Sequence, residues 1–521
     1  MQRFIGLIAL LPCLCPAGLA GQAPSGPPPD LDRYVESTMR DFEVPGLALT
    51  IVKDGRVVVA RGYGVRTLGR PEPVDAHTRF GIASNTKAFT ATAIGLLVEE
   101  GKLRWDEPVI TYLPWFRLSD PYVTREITVR DLLVHRSGLG LGEGDLLWWP
   151  PSTYDRPEIA RRLRFLPLRT SFRSAYAYDN VLYLIAGEVI EAVSGQSWED
   201  FVASRILTPL DMSESNVRHS AAVSSGNIAT PHARVDGVVR PVKPFDSDNT
   251  NPAGGINTSA TDIAKWLLVQ LDSGAVRGGT RLFSPATTRQ LWTLVTPIPI
   301  GRPPAELSPL APAFRGYALG FEVREYRGHK LVCHTGGLPG YVSRVAMIPD
   351  LNLGVAVLTN SETPAMEAIA FRILDHYLGA RWDWRAGWRT VTARGDSMVR
   401  AAETRTAASR DSTIGPSLPL DRYAGRYQDP WYGEITVERA GDHLVIRFSH
   451  TPSLVGDLEH WQYDTFVARW RDRELRADAF VSFSLTPEGG IDRVKLKPVS
   501  PATDFSFDFQ DLELRPADRG Q

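Results

Sequence analysis

The sequence predicts an α+β domain followed by a small all-β barrel, and three observations lead there. Two strand-like runs near the start, Leu47–Val52 and Val57–Gly62, meet at Asp54-Gly55, and further strand runs return only after residue 315. Helical periodicity dominates between them, from Ser84 to about Leu271. Beyond Leu418 the texture changes to short alternating strands separated by Gly, Pro and Asp turns. Sheet segments at both ends of a helical middle describe one sheet assembled from distant parts of the chain.

The elements follow in order. Residues 1–20 read as an export signal: Arg3 supplies a positive start, Phe4–Leu14 is apolar, and Gly18 and Ala20 form a cleavage site, with Gly21 and Ala23 as a second choice. Pro12 and Pro16 weigh against a spanning helix, and no other stretch approaches the roughly 20 apolar residues a span needs. Cleavage removes Cys13 and Cys15 and leaves Cys333, so no intrachain disulfide is expected. Pro12 is a poor neighbour for lipoprotein processing, which disfavours a lipid anchor and leaves a periplasmic or secreted protein. A Pro/Gly-rich lead-in over 21–29 precedes an amphipathic helix from about Asp30 to Phe42, ended by Val44-Pro45-Gly46. Strands are expected at Tyr317–Glu325, Gly340–Ile348 and Gly354–Thr359, closing a first domain over 30–385. A polar, partly helical linker over 386–416 ends at Pro416, and 417–521 forms the barrel, with strands such as Glu434–Glu438, His443–Phe448 and Phe480–Leu485.

Composition narrows the partners. Of 521 residues, 43% are hydrophobic, enough for a large core. The 58 basic and 60 acidic residues nearly cancel, and no basic stripe stands out, which argues against nucleic acid as a partner. A small-molecule or peptide substrate fits better. The ten histidines show no metal-ligand spacing and no His-Glu-x-x-His, so neither metal nor cofactor is implied.

Three segments carry chemistry. Ser84-Asn85-Thr86-Lys87 opens a helix, and residues three apart on a helix lie about 60° apart around its axis, so Ser84 and Lys87 share a face. A serine hydroxyl needs a base within hydrogen-bond reach to attack, and a desolvated lysine can be that base. Alone, the spacing describes an exposed helix start equally well. Tyr178-Asp179-Asn180 precedes the apolar helix Val181–Val193. Here Tyr178 can act as base or proton relay, held partly as phenolate, and Asn180 can orient the lysine and bond a substrate amide or carbonyl; a core tyrosine with a helix cap at Asp179 or Asn180 is the competing account. His334-Thr335-Gly336-Gly337 leads through Leu338-Pro339-Gly340 into a strand. Read as an exposed sheet edge, it can complete an oxyanion hole with the Ser84 amide, while His334 supplies a polar or cationic wall that titrates near ~6.5. By itself it could be a hairpin turn.

Together these segments resemble the serine β-lactamase and penicillin-binding protein superfamily, on its class C-like branch with related esterases and D-amino-acid peptidases. The order Ser-x-x-Lys, Tyr-x-Asn, then a Lys/His-Thr-Gly triplet is that family's signature. Flanking text agrees, including Ile127–Leu139, Leu207-Thr208-Pro209-Leu210-Asp211-Met212 and Pro252-Ala253-Gly254-Gly255-Ile256. The resemblance covers about 30–380 and implies catalytic roles for Ser84, Lys87 and Tyr178, with substrate binding by Asn180, His334, Thr335, Gly336 and Gly337. Class C β-lactamases usually have lysine where His334 stands; histidine resembles the esterase and D-aminopeptidase relatives instead, which weakens the case for true β-lactamase action. The tail, with Tyr423-Ala424-Gly425-Arg426-Tyr427, resembles the lipocalin-like C-terminal domain of some family peptidases, where it caps the site or mediates assembly.

Other residues compete for roles. Ser247-Asp248-Asn249 spells the triplet that class A enzymes use in place of Tyr-x-Asn, but it falls late in the chain order. His135 reads as a buried structural histidine. Trp148 and Trp149 either wall the substrate pocket or pack on the surface. No Gly-x-Ser-x-Gly elbow is present, against an α/β-hydrolase. These residues predict an exported serine hydrolase that cleaves an ester or amide through an acyl-enzyme on Ser84, an esterase or D-amino-acid-type peptidase rather than a true β-lactamase, with cell-wall-derived material among its candidate substrates. A catalytically silent cell-wall-binding or scaffold protein on the same fold is the alternative, and the oligomeric state is left open.

Overall fold

The computed structural model describes residues 24–222, 226–276 and 278–517. Residues 1–20, expected from the sequence to act as an export signal, lie outside the described residues.

The first sheet has eight strands. In chain order they are β1 (Gly46–Lys53), β2 (Arg56–Gly64), β3 (Thr296–Pro297), β4 (Arg315–Tyr317), β5 (Glu322–Tyr326), β6 (His329–Leu338), β7 (Tyr341–Ile348) and β8 (Leu353–Thr359). Their spatial order is β2-β1-β8-β7-β6-β5-β4-β3, so the N-terminal hairpin joins a meander from the far end of the domain. Strand β1 is buried along its whole length, because both faces of the sheet are covered. Leu47, Leu49 and Ile51 meet helices α1 (Leu31–Asp41) and α5 (Ala365–Tyr377) on one face. Ala48 and Val52 face the helical region on the other, which includes α2 (Lys87–Glu99), α3 (Val181–Ser194) and α4 (Ala260–Leu271). Thr50 is tolerated inside because its hydroxyl donates to the Ala260 carbonyl at 2.7 Å.

The strand expected over Tyr317–Glu325 is two strands. Ala318 to Phe321 turns tightly, with the Ala318 N–H on the Phe321 carbonyl at 2.7 Å and Gly320 at φ +79°, a conformation glycine adopts without strain. That turn brings Tyr317 back over the end of β6.

Helix α6 (Trp384–Ala408) leads to the second sheet. Its strands are β9 (Gly425–Asp429), β10 (Gly433–Ala440), β11 (His443–Phe448), β12 (Val455–Gln462), β13 (Thr465–Trp470), β14 (Ala479–Leu485), β15 (Ile491–Pro498) and β16 (Arg515–Pro516). The order β15-β14-β13-β12-β11-β10-β9-β16 is an antiparallel meander, and a bridge between Val494 and Leu514 nearly closes it into a barrel. The barrel docks on the first domain: Thr153 N–H donates to the His450 carbonyl at 2.8 Å, Arg162 to the Trp431 carbonyl at 3.0 Å, and Arg169 pairs with Asp511 at 2.7 Å.

Candidate active site

Ser84 does not open an α-helix; it lies in a 3-10 turn, Ala83–Thr86, that feeds into α2 at Lys87. Side chains three apart eclipse in such a turn, which aligns Ser84 and Lys87 more directly than α-helical spacing would. The residue before the serine, Ala83, has φ 49°, a left-handed strain that positions Ser84 at the mouth of the turn. The first bond of the turn runs from Asn85 N–H to the Ile82 carbonyl, so the Ser84 N–H precedes it and has no acceptor within the helix.

Lys87 is fully buried, and its amine makes three contacts: Ser84 Oγ at 3.0 Å, Asn180 Oδ1 at 2.8 Å and the Ala253 carbonyl at 3.0 Å. Desolvation pushes its pKa down to about 7, although the nearby Asp145 works in the other direction. The two carbonyl-type oxygens can only accept. A neutral amine therefore spends both hydrogens on them and has its lone pair left for the Ser84 hydroxyl, which is the geometry of a general base.

Asn180 occupies the N-cap position of α3 yet makes no capping bond. Its side chain instead accepts from Lys87 and donates to Asp145 Oδ2 at 2.8 Å. Tyr178 packs at a tilt of 33° against His135 with ring centroids 4.2 Å apart, and Lys87 Nζ sits 4.9 Å from its ring centre. Burial raises the phenol pKa well above its ordinary value, against the opposing effect of a hydrogen bond with Ser84. The partial phenolate expected from the sequence is thus corrected: Tyr178 is a neutral phenol, suited to relaying or donating a proton.

The His334–Gly337 segment is not on an outer edge of the sheet, since β6 lies between β5 and β7. However, β5 pairs only with 329–333, so 334–338 are bonded on the β7 side alone. The two-residue turn Pro339-Gly340 makes Leu338 and Tyr341 the closing pair, so by alternation the backbone of Thr335 and Gly337 points into the open side. Gly336 is pressed against the serine turn, where a Cβ would come within 2.1 Å of the Ile82 carbonyl. The strand can lie that close to Ser84 because residue 336 has no side chain.

His334 is not cationic. The Tyr317 hydroxyl donates to its Nε2 at 2.7 Å, and its Nδ1 lies 2.5 Å from the Thr335 carbonyl, which can only accept. Both nitrogens are satisfied in the neutral tautomer, and burial with the adjacent Lys87 charge lowers the pKa to about 4. A carboxylate therefore finds no titrating imidazolium here. We expect the ratio of kcat/KM for carboxylated and neutral esters to be flat between about pH 5.5 and 9, because His334 has lost its charge throughout that range. A ratio that falls through about pH 6.5 would restore the cationic wall.

Ser84, Tyr178, Asn180, His334, Thr335 and Gly337 line a cleft of about 340 Å³ with Leu141, Trp148, Trp149, Tyr176, Leu338 and Phe505. Both tryptophans face the pocket, and Trp149 stacks on Phe245 with centroids 5.3 Å apart. Arg315 is engaged bidentately by Glu322, and Arg344 is held by Glu367 at 2.8 Å, so both cationic groups of the cleft are already paired. His135 is fully buried behind Tyr178 and accepts from the Asp179 N–H at 3.0 Å. Ser247-Asp248-Asn249 stays outside: Ser247 bonds Asn249, and Asp248 bonds Ser220.

Sequence reasoning missed Asp145 and Ser506. Asp145 is fully buried and accepts from Asn180, Trp148 and Ser506. Its one sequence signal is a carboxylate directly before the apolar run Leu146-Leu147-Trp148-Trp149.

A buried lysine against a serine, beneath an antiparallel sheet and a helical region, defines a serine hydrolase of the β-lactamase fold. The chain belongs to the beta-lactamase family, whose model matches residues 31–378; residues 409–516 match a domain of unknown function, DUF3471. An unguisins hydrolase of Aspergillus violaceofuscus is 29% identical over 498 residues, 88% of this chain and 86% of that protein. The octameric penicillin-binding protein homologue from Pyrococcus abyssi superposes with a TM-score of 0.60 at 24% identity, over 93% of this chain and 99% of that one. The D-amino acid amidase from Ochrobactrum anthropi superposes with a TM-score of 0.54 at 23% identity, over 67% of this chain and 98% of that one.

Proposed function

We propose that this protein is an exported esterase or amidase that works through an acyl-enzyme on Ser84. The observation that carries the reading is the buried Lys87 amine 3.0 Å from Ser84 Oγ, its pKa lowered to about 7 and its other two hydrogen-bond directions taken by acceptors. Ser84 Oγ attacks the acyl carbon as Lys87 takes its proton. The N–H groups of Ser84 and Gly337 receive the oxyanion. Tyr178 protonates the leaving group and recovers its proton through Lys87, after which water, deprotonated by the same pair, releases the acyl group. The apolar cleft walls favour an apolar or aromatic acyl group. The similarity to an unguisins hydrolase along most of both chains supports an amide as the natural target. A D-amino-acid configuration at the acyl side follows the family resemblance. Export rests on the N-terminal signal, and among the described residues no helix is long and apolar enough to cross a membrane.

Intact-mass and peptide analysis after treatment with a fluorophosphonate is the direct test, and the expected result is a single adduct on Ser84. An unmodified Ser84 would favour the silent binding protein. Penicillins are expected to turn over at least ~10²-fold more slowly than short activated esters in kcat/KM, since the neutral His334 and the paired arginines offer no free cation to their carboxylate. Comparable rates for the two would return the protein to the true β-lactamases.

A further inference from the structure

We propose that the C-terminal barrel domain completes the catalytic apparatus: its 504–508 segment holds Asp145, and through Asn180 it positions the Lys87 base. This rests on the reading of Ser84 and Lys87 given above.

The contacts form a continuous chain. Ser506 Oγ donates to Asp145 Oδ2 at 2.9 Å, and Asn180 Nδ2 donates to the same oxygen at 2.8 Å. The other end of the Asn180 amide accepts from Lys87. Asp508 grips the backbone on either side of Asp145, accepting from Gly144 N–H at 2.7 Å and Leu146 N–H at 3.0 Å. Phe505 closes over Gly142, whose own N–H donates to the Tyr178 carbonyl at 2.8 Å. A second strap reaches the opposite wall: Arg476 pairs with Glu362 at 2.6 Å, and Glu362 accepts from the Gly340 N–H in the turn beyond Gly337. Both walls of the cleft are therefore tied to the barrel.

The consequence is chemical as well as mechanical. Burial pushes the Asp145 carboxyl up to about 7, while the Asn180 amide and the Ser506 hydroxyl work against that shift by favouring its ionised form, and that charge in turn favours protonated Lys87. Removing the hydroxyl weakens the charge, lowers the proton affinity of Lys87 and lets the neutral base persist to lower pH. Other groups face this pair. The rings of Tyr178 and Tyr183 lie against Lys87, the charge of Lys87 reaches His135 and His334, and Asp179 and Asp508 lie near Asp145. All six are common to wild type and variants, so a difference between their profiles isolates the Ser506–Asp145–Lys87 line.

The test uses the full chain. The kcat/KM for a neutral activated ester is measured from pH 5 to 9 in wild type, Ser506→Ala and Asp145→Asn, with the rate of fluorophosphonate labelling of Ser84 as a second readout. Both variants are expected to label at Ser84. The acid limb should move to lower pH by about half a unit in Ser506→Ala and by about one unit in Asp145→Asn. A barrel that merely packs against the site would reduce rates without moving the limb. An unmoved limb in Ser506→Ala, or one displaced upward, overturns the proposal whatever Asp145→Asn does. Loss of labelling at Ser84 in the wild type itself would instead strike the nucleophile assignment, which separates the two failures.

Discussion

Replacing Ser84 with alanine should abolish turnover of both esters and amides, with kcat/KM falling at least ~10³-fold while the fold stays intact. The side chain contributes one oxygen to the site, which meets Lys87 and Tyr178, and Lys87 retains Asn180 and the Ala253 carbonyl when that oxygen is gone. Each such hydrogen bond contributes on the order of 1 kcal/mol, little for a chain with cores on both faces of its sheet. Thermal unfolding should therefore be nearly unchanged while activity disappears. The fluorophosphonate adduct must vanish with it. Retention of even a tenth of wild-type activity on an activated ester would place the nucleophile elsewhere.

How much of this site was legible in the sequence depended on the range of the interaction involved. Local chemistry read well: Asp54-Gly55 marks the β1–β2 hairpin, and the serine–lysine spacing survives the change from an α-helical to a 3-10 turn. The turn after Tyr317 was hidden because Ala318, Leu319 and Phe321 are apolar and Gly320 is its lone breaker. The identity of His334 was visible but its charge was not, since the charge is set by burial and by Lys87, Tyr317 and the Thr335 carbonyl rather than by its neighbours in sequence. Asn180 looked like a possible helix cap, and its use as a bridge between Lys87 and Asp145 depends on a loop 35 residues earlier. Ser506 lies 361 residues from the carboxylate it supports, in a segment of alternating Asp, Phe and Ser with no catalytic signature. Burial and long-range contacts decide which polar residues act on one another, and periodicity does not encode either.

The substitution Tyr178→Phe is expected to separate substrates by their leaving groups. On an amide or anilide, loss of the phenolic proton should lower kcat/KM by about 10²–10⁴, because an amine cannot depart without being protonated. On a p-nitrophenyl ester the loss should be about tenfold or less, since that phenolate departs unassisted. The neutral state of Tyr178 underlies the difference: burial raises its pKa well above the ordinary value, so the proton is present at every pH of the assay. Phenylalanine keeps the ring that packs against His135, at a centroid distance of 4.2 Å in wild type, so packing is conserved. Ser247→Ala serves as the comparison, because its hydroxyl is bonded to Asn249 away from the cleft, and it should leave both substrates unaffected. Equal losses on ester and amide in Tyr178→Phe would assign the tyrosine to activation of Ser84 rather than to the leaving group. A large loss in Ser247→Ala with an active Tyr178→Phe would move proton transfer to the Ser247-Asp248-Asn249 triplet.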